Sequence, residues 1–194
     1  MSKTYNWRKL NEKELTRVYL DEMRRDFPPT ELKPLSMILN SEANGTAHTW
    51  GVFDGETLVA YLLMVRPAGS RVSQLDYFAV LPEYRAAGLG AQLLADLPQH
   101  ERGAQAILIE AECPDKAEDE TMAVRRLGFY ARCGARDTGF TEHLFDADVY
   151  KRQDIDTAMQ SGAQGVGLLR TGYMMLPGRI LDEQEQYFLS LIHI

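Results

Sequence analysis

Two glycines near the middle of the chain have the spacing of a backbone cradle for phosphate. Gly88 and Gly90 follow the apolar run LDYFAV, which ends at Val80, and they precede leucines repeated at helical spacing. Glycine lets the main chain approach a ligand because no Cβ stands in the way. The first amides of a helix lack partners within it and lie at the positive end of its dipole. The segment therefore predicts a binding site for a phosphorylated cofactor.

The spacing of this turn separates it from two other phosphate-binding loops. A Rossmann turn requires a third glycine as GxGxxG, and a Walker loop requires Gly-Lys followed by Ser or Thr. Arg85, Gly88 and Gly90 instead match RxxGxG, which resembles the motif of the Gcn5-related N-acetyltransferases, the GNAT superfamily. This resemblance implies acetyl-CoA as the acetyl donor.

The same resemblance implies how the cofactor is held. Backbone groups at the strand end are expected to bind the pantetheine arm and to polarise the thioester carbonyl, while amides of the turn bind the pyrophosphate. The predicted cofactor-binding residues are Phe78, Ala79 and Val80 at the strand end, with Arg85, Ala86, Ala87, Gly88, Leu89, Gly90 and Ala91 in the turn.

A second part of the resemblance lies downstream, in a strand followed by a helix. ILIEAE has the pattern of a buried strand, and RRLGFYARCGA has that of a helix ended by Gly134. GNAT chains carry a phrase like FYxxxG there, and the resemblance implies that Tyr130 protonates the departing coenzyme A thiolate. A phenol has a pKa near ~10, so it keeps its proton at neutral pH. The alternative is that Tyr130 only packs in the core beside Phe129.

Acetyl transfer to an amine also requires a group that accepts the amine proton. Glu110, on the strand that follows the glycine helix, occupies a position that resembles the base-bearing site of some GNAT enzymes. Glu112, which shares its face by alternation, and Asp76, on the preceding strand, are alternatives. Each of these carboxylates can equally be a solvated strand residue.

Composition and charge argue against several other classes of protein. The 194 residues, 45% of them hydrophobic, suffice for one domain with a core, and a net charge of -7 argues against a nucleic-acid partner. The sequence has no apolar run long enough to span a membrane and no signal peptide, which favours a cytoplasmic location. Two cysteines and four scattered histidines give no metal-ligand spacing, so we expect no metal.

The order of predicted elements agrees with the motifs. YNWRKL is predicted as a strand, Asn11 as the N-cap of a helix that Pro28 ends, and ELKPLSMILN as a second helix. A hairpin around Asp54 and three further strands, interleaved with the glycine helix and the tyrosine helix, complete the pattern, with TGFTEHLFD as the sixth strand. This order resembles the GNAT fold, an α/β (α+β) architecture with a mixed central sheet flanked by helices. DFPPTELKP resembles a phrase that lines the acceptor site in some bacterial members.

The resemblance to an acetyltransferase ends near Ala147. We expect a GNAT domain in residues 1–147, with its last strand missing or replaced, and a foreign tail in residues 148–194. Residues 154–188 resemble part of the barrel of phosphotransferase enzyme I and other phosphoenolpyruvate (PEP)-utilising enzymes. DVYKRQ (148–153) and LSLIHI (189–194) flank this segment, and their codons can be written as reverse complements that resemble a sequencing adapter. The pattern indicates an assembly chimera.

These features together predict an N-acetyltransferase. The acetyl group of acetyl-CoA is expected to pass to a primary amine by direct attack within a ternary complex, and the acceptor is a small-molecule or peptide amine. A non-catalytic acyl-CoA-binding module is the main alternative. A PEP-dependent phosphotransfer role, based on Arg170 alone, is a remote one.

Overall fold

The computed structural model describes residues 3–29, 31–85, 88–117, 119–138 and 173–175. The strands are β1 Asn6–Lys9, β2 Ala47–Asp54, β3 Thr57–Val65, β4 Val72–Val80, β5 Ala106–Glu110, β6 Arg136–Asp137 and β7 Tyr173–Met175. The α-helices are α1 Glu12–Val18, α2 Arg24–Asp26, α3 Leu35–Ala43, α4 Leu89–His100 and α5 Glu120–Arg132. Short 3-10 turns span Pro82–Tyr84 and Pro114–Lys116.

The strands form one mixed sheet in the order β1-β2-β3-β4-β5-β7-β6. Neighbouring strands are antiparallel except β4 and β5, which run parallel and are joined through α4. A parallel pair needs a crossover connection of this kind, because its two strands start at the same end of the sheet. The mixed sheet with flanking helices confirms the predicted fold class.

The first helix begins as the sequence predicts. The Asn11 side chain accepts a hydrogen bond from the Glu14 amide at 3.1 Å, and the Glu14 carboxylate accepts one from the Asn11 amide at 3.0 Å. This reciprocal capping box satisfies two amides that the helix itself leaves unpaired. The helical segment continues from α1 through one π-helical turn at Tyr19–Met23 to α2, and the chain becomes extended at Phe27, before Pro28.

The second predicted helix starts later than expected. ELKPLSMILN predicts a helix from Glu31, but α3 begins at Leu35, directly after Pro34. Proline disfavours the α conformation in the residue before it, so Lys33 and the residues before it form a loop. The helix ends at Ala43, and Gly45 follows with φ +72°.

The last strands differ from the prediction in place and length. The strand predicted over residues 138–146 lies outside the described residues except for Thr138, and the structure has β6 at Arg136–Asp137. β7 comes from the segment predicted to be foreign, and it pairs with both β5 and β6. β7 therefore lies between β5 and β6, and β6 forms the edge of the sheet.

Two hydrophobic clusters cover the two faces of the sheet. The first cluster packs α4 and α5 against one face, and the second packs α1 and α3 against the other. The leucines repeated at helical spacing in α4 all lie in the first cluster, where each buried side chain contributes roughly 1.5–3 kcal/mol. These residues are Leu89, Leu93, Leu94 and Leu97.

A buried carboxylate joins the C-terminal end of α4 to two strands. Glu101, only 4% exposed, accepts hydrogen bonds from Trp50 Nε1 at 2.8 Å and Ser73 Oγ at 2.9 Å, and it contacts His48 Nε2 at 2.6 Å. Burial by itself raises the pKa of Glu101, but the hydrogen bonds from His48, Trp50 and Ser73 outweigh it and lower the pKa to about 2. We name these four residues the Glu101 cluster.

The Glu101 cluster predicts a specific loss of stability in acid. Because the pKa of Glu101 is about 2 in the folded chain against an ordinary 4.5, its contribution to stability is complete above pH 4.5 and disappears as the pH falls towards 2. This contribution is on the order of 3 kcal/mol. Glu101→Gln is expected to remove it, so that the free energy of unfolding of this variant falls less across that pH window.

Denaturant unfolding at several pH values measures the effect. Glu120→Gln, a matched change of an exposed glutamate on α5, serves as the control and should behave like the unaltered chain. An equal loss of stability in acid for Glu101→Gln and the unaltered chain would contradict the assignment.

Candidate active site

The candidate site is an opening between β4 and β5. The parallel pairing ends at Leu75 and Ile109, and β4 continues for five residues without β5 beside it. At the same level β4 contains a bulge: Met64 of β3 faces Leu75 while Leu63 faces Tyr77, which leaves Asp76 as an extra residue. A bulge increases local twist and bends the strand, so it helps β4 to diverge from its neighbour.

The register of β4 determines which main-chain groups face this opening. The Leu81 amide donates to the Val59 carbonyl at 2.9 Å, so every second residue back along β4 bonds to β3 in the same way. Ala79 is one of these, and its amide and carbonyl are directed to Tyr61. The amide and carbonyl of Phe78 and of Val80 are directed to the opposite edge. Of the three residues predicted to hold the pantetheine arm, Phe78 thus directs its amide and carbonyl to the opening and Val80 its amide, while the Val80 carbonyl accepts a hydrogen bond from Arg85.

The predicted phosphate cradle lies at the start of α4. Gly88 has φ +77°, a left-handed conformation that glycine adopts without strain, and its carbonyl accepts the first helical hydrogen bond, from Gln92 at 3.1 Å. The amides of Leu89, Gly90 and Ala91 are in the first turn, where an α-helix supplies no partner. Ala86 and Ala87 lie outside the described residues.

Gly90 marks the point where β4, α4 and α5 come together. A Cβ added there would lie 3.4 Å from the Phe129 ring, 3.7 Å from the Phe78 ring and 3.7 Å from Val80. The cradle is therefore beside the strand end whose main chain faces the opening. Gly90, one of the residues predicted to bind pyrophosphate, is thus adjacent in space to Phe78 and Val80, which are predicted to bind the pantetheine arm.

The Arg85 side chain stabilises the turn from outside and does not point into it. Its Nε donates to the Val80 carbonyl at 2.7 Å, and its Nη2 donates to Asp26 Oδ1 at 2.9 Å. Asp26 also accepts a hydrogen bond from the Tyr61 hydroxyl at 3.0 Å. Burial, with the Asp26 carboxylate next, raises the pKa of the Tyr61 phenol. The arginine thus joins the turn to the end of the first helical segment, and about half of its side chain stays exposed.

Tyr130 lies on α5 and packs against the first hydrophobic cluster. Its ring centroid is 5.5 Å from that of Phe129, whose ring in turn lies beside Gly90. The side chain is half-buried, and no described residue shares a hydrogen bond with its hydroxyl. Burial raises the pKa of the Tyr130 phenol, Arg126 lowers it and Cys133 raises it. The change in the pKa of Tyr130 is therefore an increase, and a phenol already keeps its proton at neutral pH without one.

Glu110 is the last residue of β5 and lies on the opposite side of the opening from Tyr130. Ile107 and Ile109 point into the first cluster, so by alternation Glu110 points to the face of α1 and α3. Gln74 donates a hydrogen bond to its Oε2 at 3.0 Å. Of the other two candidate bases, Glu112 is 3.8 Å from Arg126, and Asp76 forms an ion pair with Lys33.

Sequence reasoning missed the contacts that hold the loop between α2 and α3 on β4. The Tyr77 hydroxyl accepts a hydrogen bond from the Lys33 amide at 2.9 Å and donates one to the Glu31 carbonyl at 2.8 Å. The Tyr19 hydroxyl donates to the Lys33 carbonyl at 3.0 Å. The one available signal was the phrase DFPPTELKP, which contains this loop and lies beside the opening through Asp76 and Tyr77.

The described residues contain no cluster of acidic, histidine or cysteine side chains that could hold a metal ion. Among those residues, too, no helix has both the length and the apolar character needed to cross a bilayer.

Comparison with known proteins identifies the family. Residues 6–135 match the model of the acetyltransferase (GNAT) family, which covers every described element except β6 and β7. A search of curated protein sequences gave no match.

Three solved structures illustrate the likeness in fold. A protein assigned to the GNAT acetyltransferase family from Bacteroides thetaiotaomicron has a TM-score of 0.70 at 20% identity, covering 96% of this chain and 94% of its own. The ribosomal-protein-S18-alanine N-acetyltransferase of Escherichia coli has a TM-score of 0.58 at 18% identity, covering 93% and 97%. The spermidine N-acetyltransferase of Vibrio cholerae, in complex with CoA and spermine, has 0.59 at 11% identity, covering 89% and 94%.

The backbone of Gly88 yields a prediction about the cradle. An added Cβ meets no atom within 4 Å at Gly88 or at Gly69, and the two residues have φ values of +77° and +80°. Alanine at either position should therefore cost a similar amount of folding free energy, about 1–2 kcal/mol, from backbone strain alone. Only Gly88→Ala is expected to weaken the binding of coenzyme A, because it disturbs the start of α4.

Denaturant unfolding gives the stability of both variants, and calorimetric titration gives the affinity for coenzyme A. Gly69→Ala is the matched control, since it carries the same strain in a loop away from the opening. Unchanged affinity in Gly88→Ala would show that the turn does not bind the cofactor.

Proposed function

The chain belongs to the acetyltransferase (GNAT) family, and we propose that it is an N-acetyltransferase that uses acetyl-CoA to acetylate a primary amine. The observation that carries this proposal is the convergence at Gly90, where the end of β4 beyond its pairing with β5, a helix start and the helix of Tyr130 meet. An elongated cofactor with a polar arm and a pyrophosphate matches these features in order.

The cofactor would be held mainly by main chain. Phe78 and Val80 present strand-edge groups to the pantetheine arm, and the amides from Ala86 to Ala91 bind the pyrophosphate. A strand-edge amide beside the thioester would also polarise its carbonyl. Arg85 and Ala79 support this arrangement indirectly, because the Arg85 side chain and the Ala79 main chain contact the protein itself.

The two candidate catalytic side chains fit direct attack within a ternary complex. The amine nitrogen attacks the thioester carbon, the carbon–nitrogen bond forms, and the carbon–sulfur bond breaks. Glu110, on the α1 and α3 side, accepts the proton that the amine loses, directly or through water. Tyr130, on the α5 side, donates its proton to the departing thiolate. An acid and a base on opposite sides of the opening allow acceptor and leaving group to stay apart.

The acceptor is proposed to be a small-molecule or peptide amine. A net charge of -7 favours the approach of cationic amines over anionic ones. The spermidine N-acetyltransferase of Vibrio cholerae, which has the same fold, was solved with CoA and spermine. This likeness is in fold, so the choice among amines depends on the residues of this chain.

We also propose that residues 148–194 are foreign to the acetyltransferase. The support is the pair of hexapeptides at 148–153 and 189–194, whose codons can be reverse complements, around a segment that resembles PEP-utilising enzymes. Chance is a poor explanation for six complementary codons at both edges of one segment. β7 then comes from a sequence that did not evolve with this sheet.

Sequencing the source DNA across both junctions with long reads tests this idea. The expected result is that the reads diverge from the assembled sequence at residue 148. Continuous genomic reads through both junctions would refute the chimera and leave the proposal for residues 1–147 unaffected.

Replacing Tyr130 tests the enzymatic proposal. Tyr130→Phe removes the proton donor but keeps the ring that packs against the first cluster, so kcat should fall by about 100-fold or more. The affinity for coenzyme A should change little. Thiol release with an amine panel gives kcat, and calorimetric titration gives the affinity.

Tyr5→Phe is the matched control, because Tyr5 is also half-buried against the first cluster but lies before β1. Thiol release that needs no added amine, or that is equal in both variants, would favour a non-catalytic acyl-CoA-binding module.

A further inference from the structure

An ammonium group of the protein already occupies the acceptor side of the opening. Lys33 Nζ donates to both carboxylate oxygens of Asp76, at 2.9 and 2.7 Å. The Asp76 side chain is only 6% exposed, while that of Lys33 is 28% exposed. The carboxylate is thus nearly enclosed, and its partner reaches it from a position with access to solvent.

Asp76 is at the level where β4 and β5 separate. It is the extra residue of the bulge and follows Leu75, the last residue of β4 that pairs with β5. Glu110 follows Ile109, the corresponding last paired residue of β5. Two carboxylates therefore stand at the entrance to the opening, each directly after the last parallel pair.

The loop that carries Lys33 does not need the lysine side chain to stay in place. The amide and carbonyl of Lys33 are bound by the hydroxyls of Tyr77 and Tyr19, and Tyr77 also donates to the Glu31 carbonyl. On the loop side, all these hydrogen bonds involve main-chain groups. The Lys33 side chain can move without releasing the loop, so its contact with Asp76 is available for another role.

We propose that Asp76 binds an ammonium group of the acceptor, and that Lys33 holds this position until the acceptor displaces it. This inference rests on the proposed function and narrows it to small di- or polyamines. Lys33 then acts as a specificity-determining residue. An amine with a single charge gains little by displacing one ammonium with another. The second positive charge of a diamine adds electrostatic attraction to the carboxylates at the entrance.

The ammonium on Asp76 is the one that does not react. A carboxylate in contact with an ammonium favours its charged form, and a protonated amine cannot attack a thioester. The reacting amine must lie farther along the opening, towards the strand-edge groups of Phe78, with Glu110 on the same face. An acceptor with two amino groups joined by a short flexible chain satisfies both positions.

Putrescine and butylamine, which differ by one amino group, test the inference as acceptors with saturating acetyl-CoA. Lys33→Met keeps the length and apolar stem of the side chain and should lower the KM for putrescine by about tenfold, with little effect on butylamine. Asp76→Asn should remove the preference for putrescine, and adding Lys33→Met to it should change nothing further. Lys13→Met, an exposed change of equal charge, is the control and should leave both KM values unaltered.

A second measurement does not depend on turnover. With coenzyme A present, putrescine should raise the melting temperature of Lys33→Met more than that of the unaltered chain, since Asp76 then lacks its internal partner. Butylamine should produce no such difference. Lys33→Gln provides the same comparison if the methionine variant does not unfold cooperatively.

The two proposals fail in different ways. If both amines are acetylated equally well, or if Lys33→Met and Asp76→Asn raise the KM of both amines alike, the pair only fixes the loop and this inference is wrong. If no amine is acetylated but putrescine still selectively stabilises Lys33→Met, the amine position stands and the proposed acetyl transfer does not.

Discussion

The architecture of the site depends on the loss of one strand neighbour. β4 is paired with β3 from Gln74 to Val80 but has β5 beside it only as far as Leu75, so beyond Leu75 no described strand lies along its other edge. Main-chain amides and carbonyls inside a protein need partners, and a ligand can supply them as well as a strand can. The start of α4 contributes a second set of unpaired amides a few residues later. In the proposed function, a ligand that fits both sets takes the place of the missing strand, so the site needs few side chains.

Local signals predicted the features that depend on neighbouring residues. The capping side chain of Asn11, the glycine at the start of α4 and the leucines on its buried face are all visible in the sequence, since each works within a few positions of itself. The predicted start of α3 was wrong because the effect of Pro34 on the residue before it outweighs the helical pattern of the segment. The orientation of Ala79 depends on the register with β3, which no local pattern encodes.

Contacts between distant parts of the chain explain the rest of the difference. Arg85 and Asp26 are 59 positions apart, and Lys33 and Asp76 are 43 apart, so nothing in the sequence around one partner points to the other. A motif indicates that an arginine belongs near a phosphate turn, but the fold decides whether it faces the ligand or braces the backbone. The same limit applies to charge: a composition with net charge -7 does not reveal that a lysine neutralises one carboxylate at the entrance.

The Glu101 cluster affects the site from the opposite end of α4. The helix begins at the cradle and ends at a carboxylate bonded to β2 and β4, so its far end is fixed to the same sheet that carries the strand-edge groups. The distance and angle between the helix start and the strand end are thereby set before any ligand arrives. A cofactor that binds there does not have to order the backbone, and little conformational entropy is lost on association. In the proposed function, a buried acid remote from the chemistry thus contributes to cofactor affinity by preorganising the site.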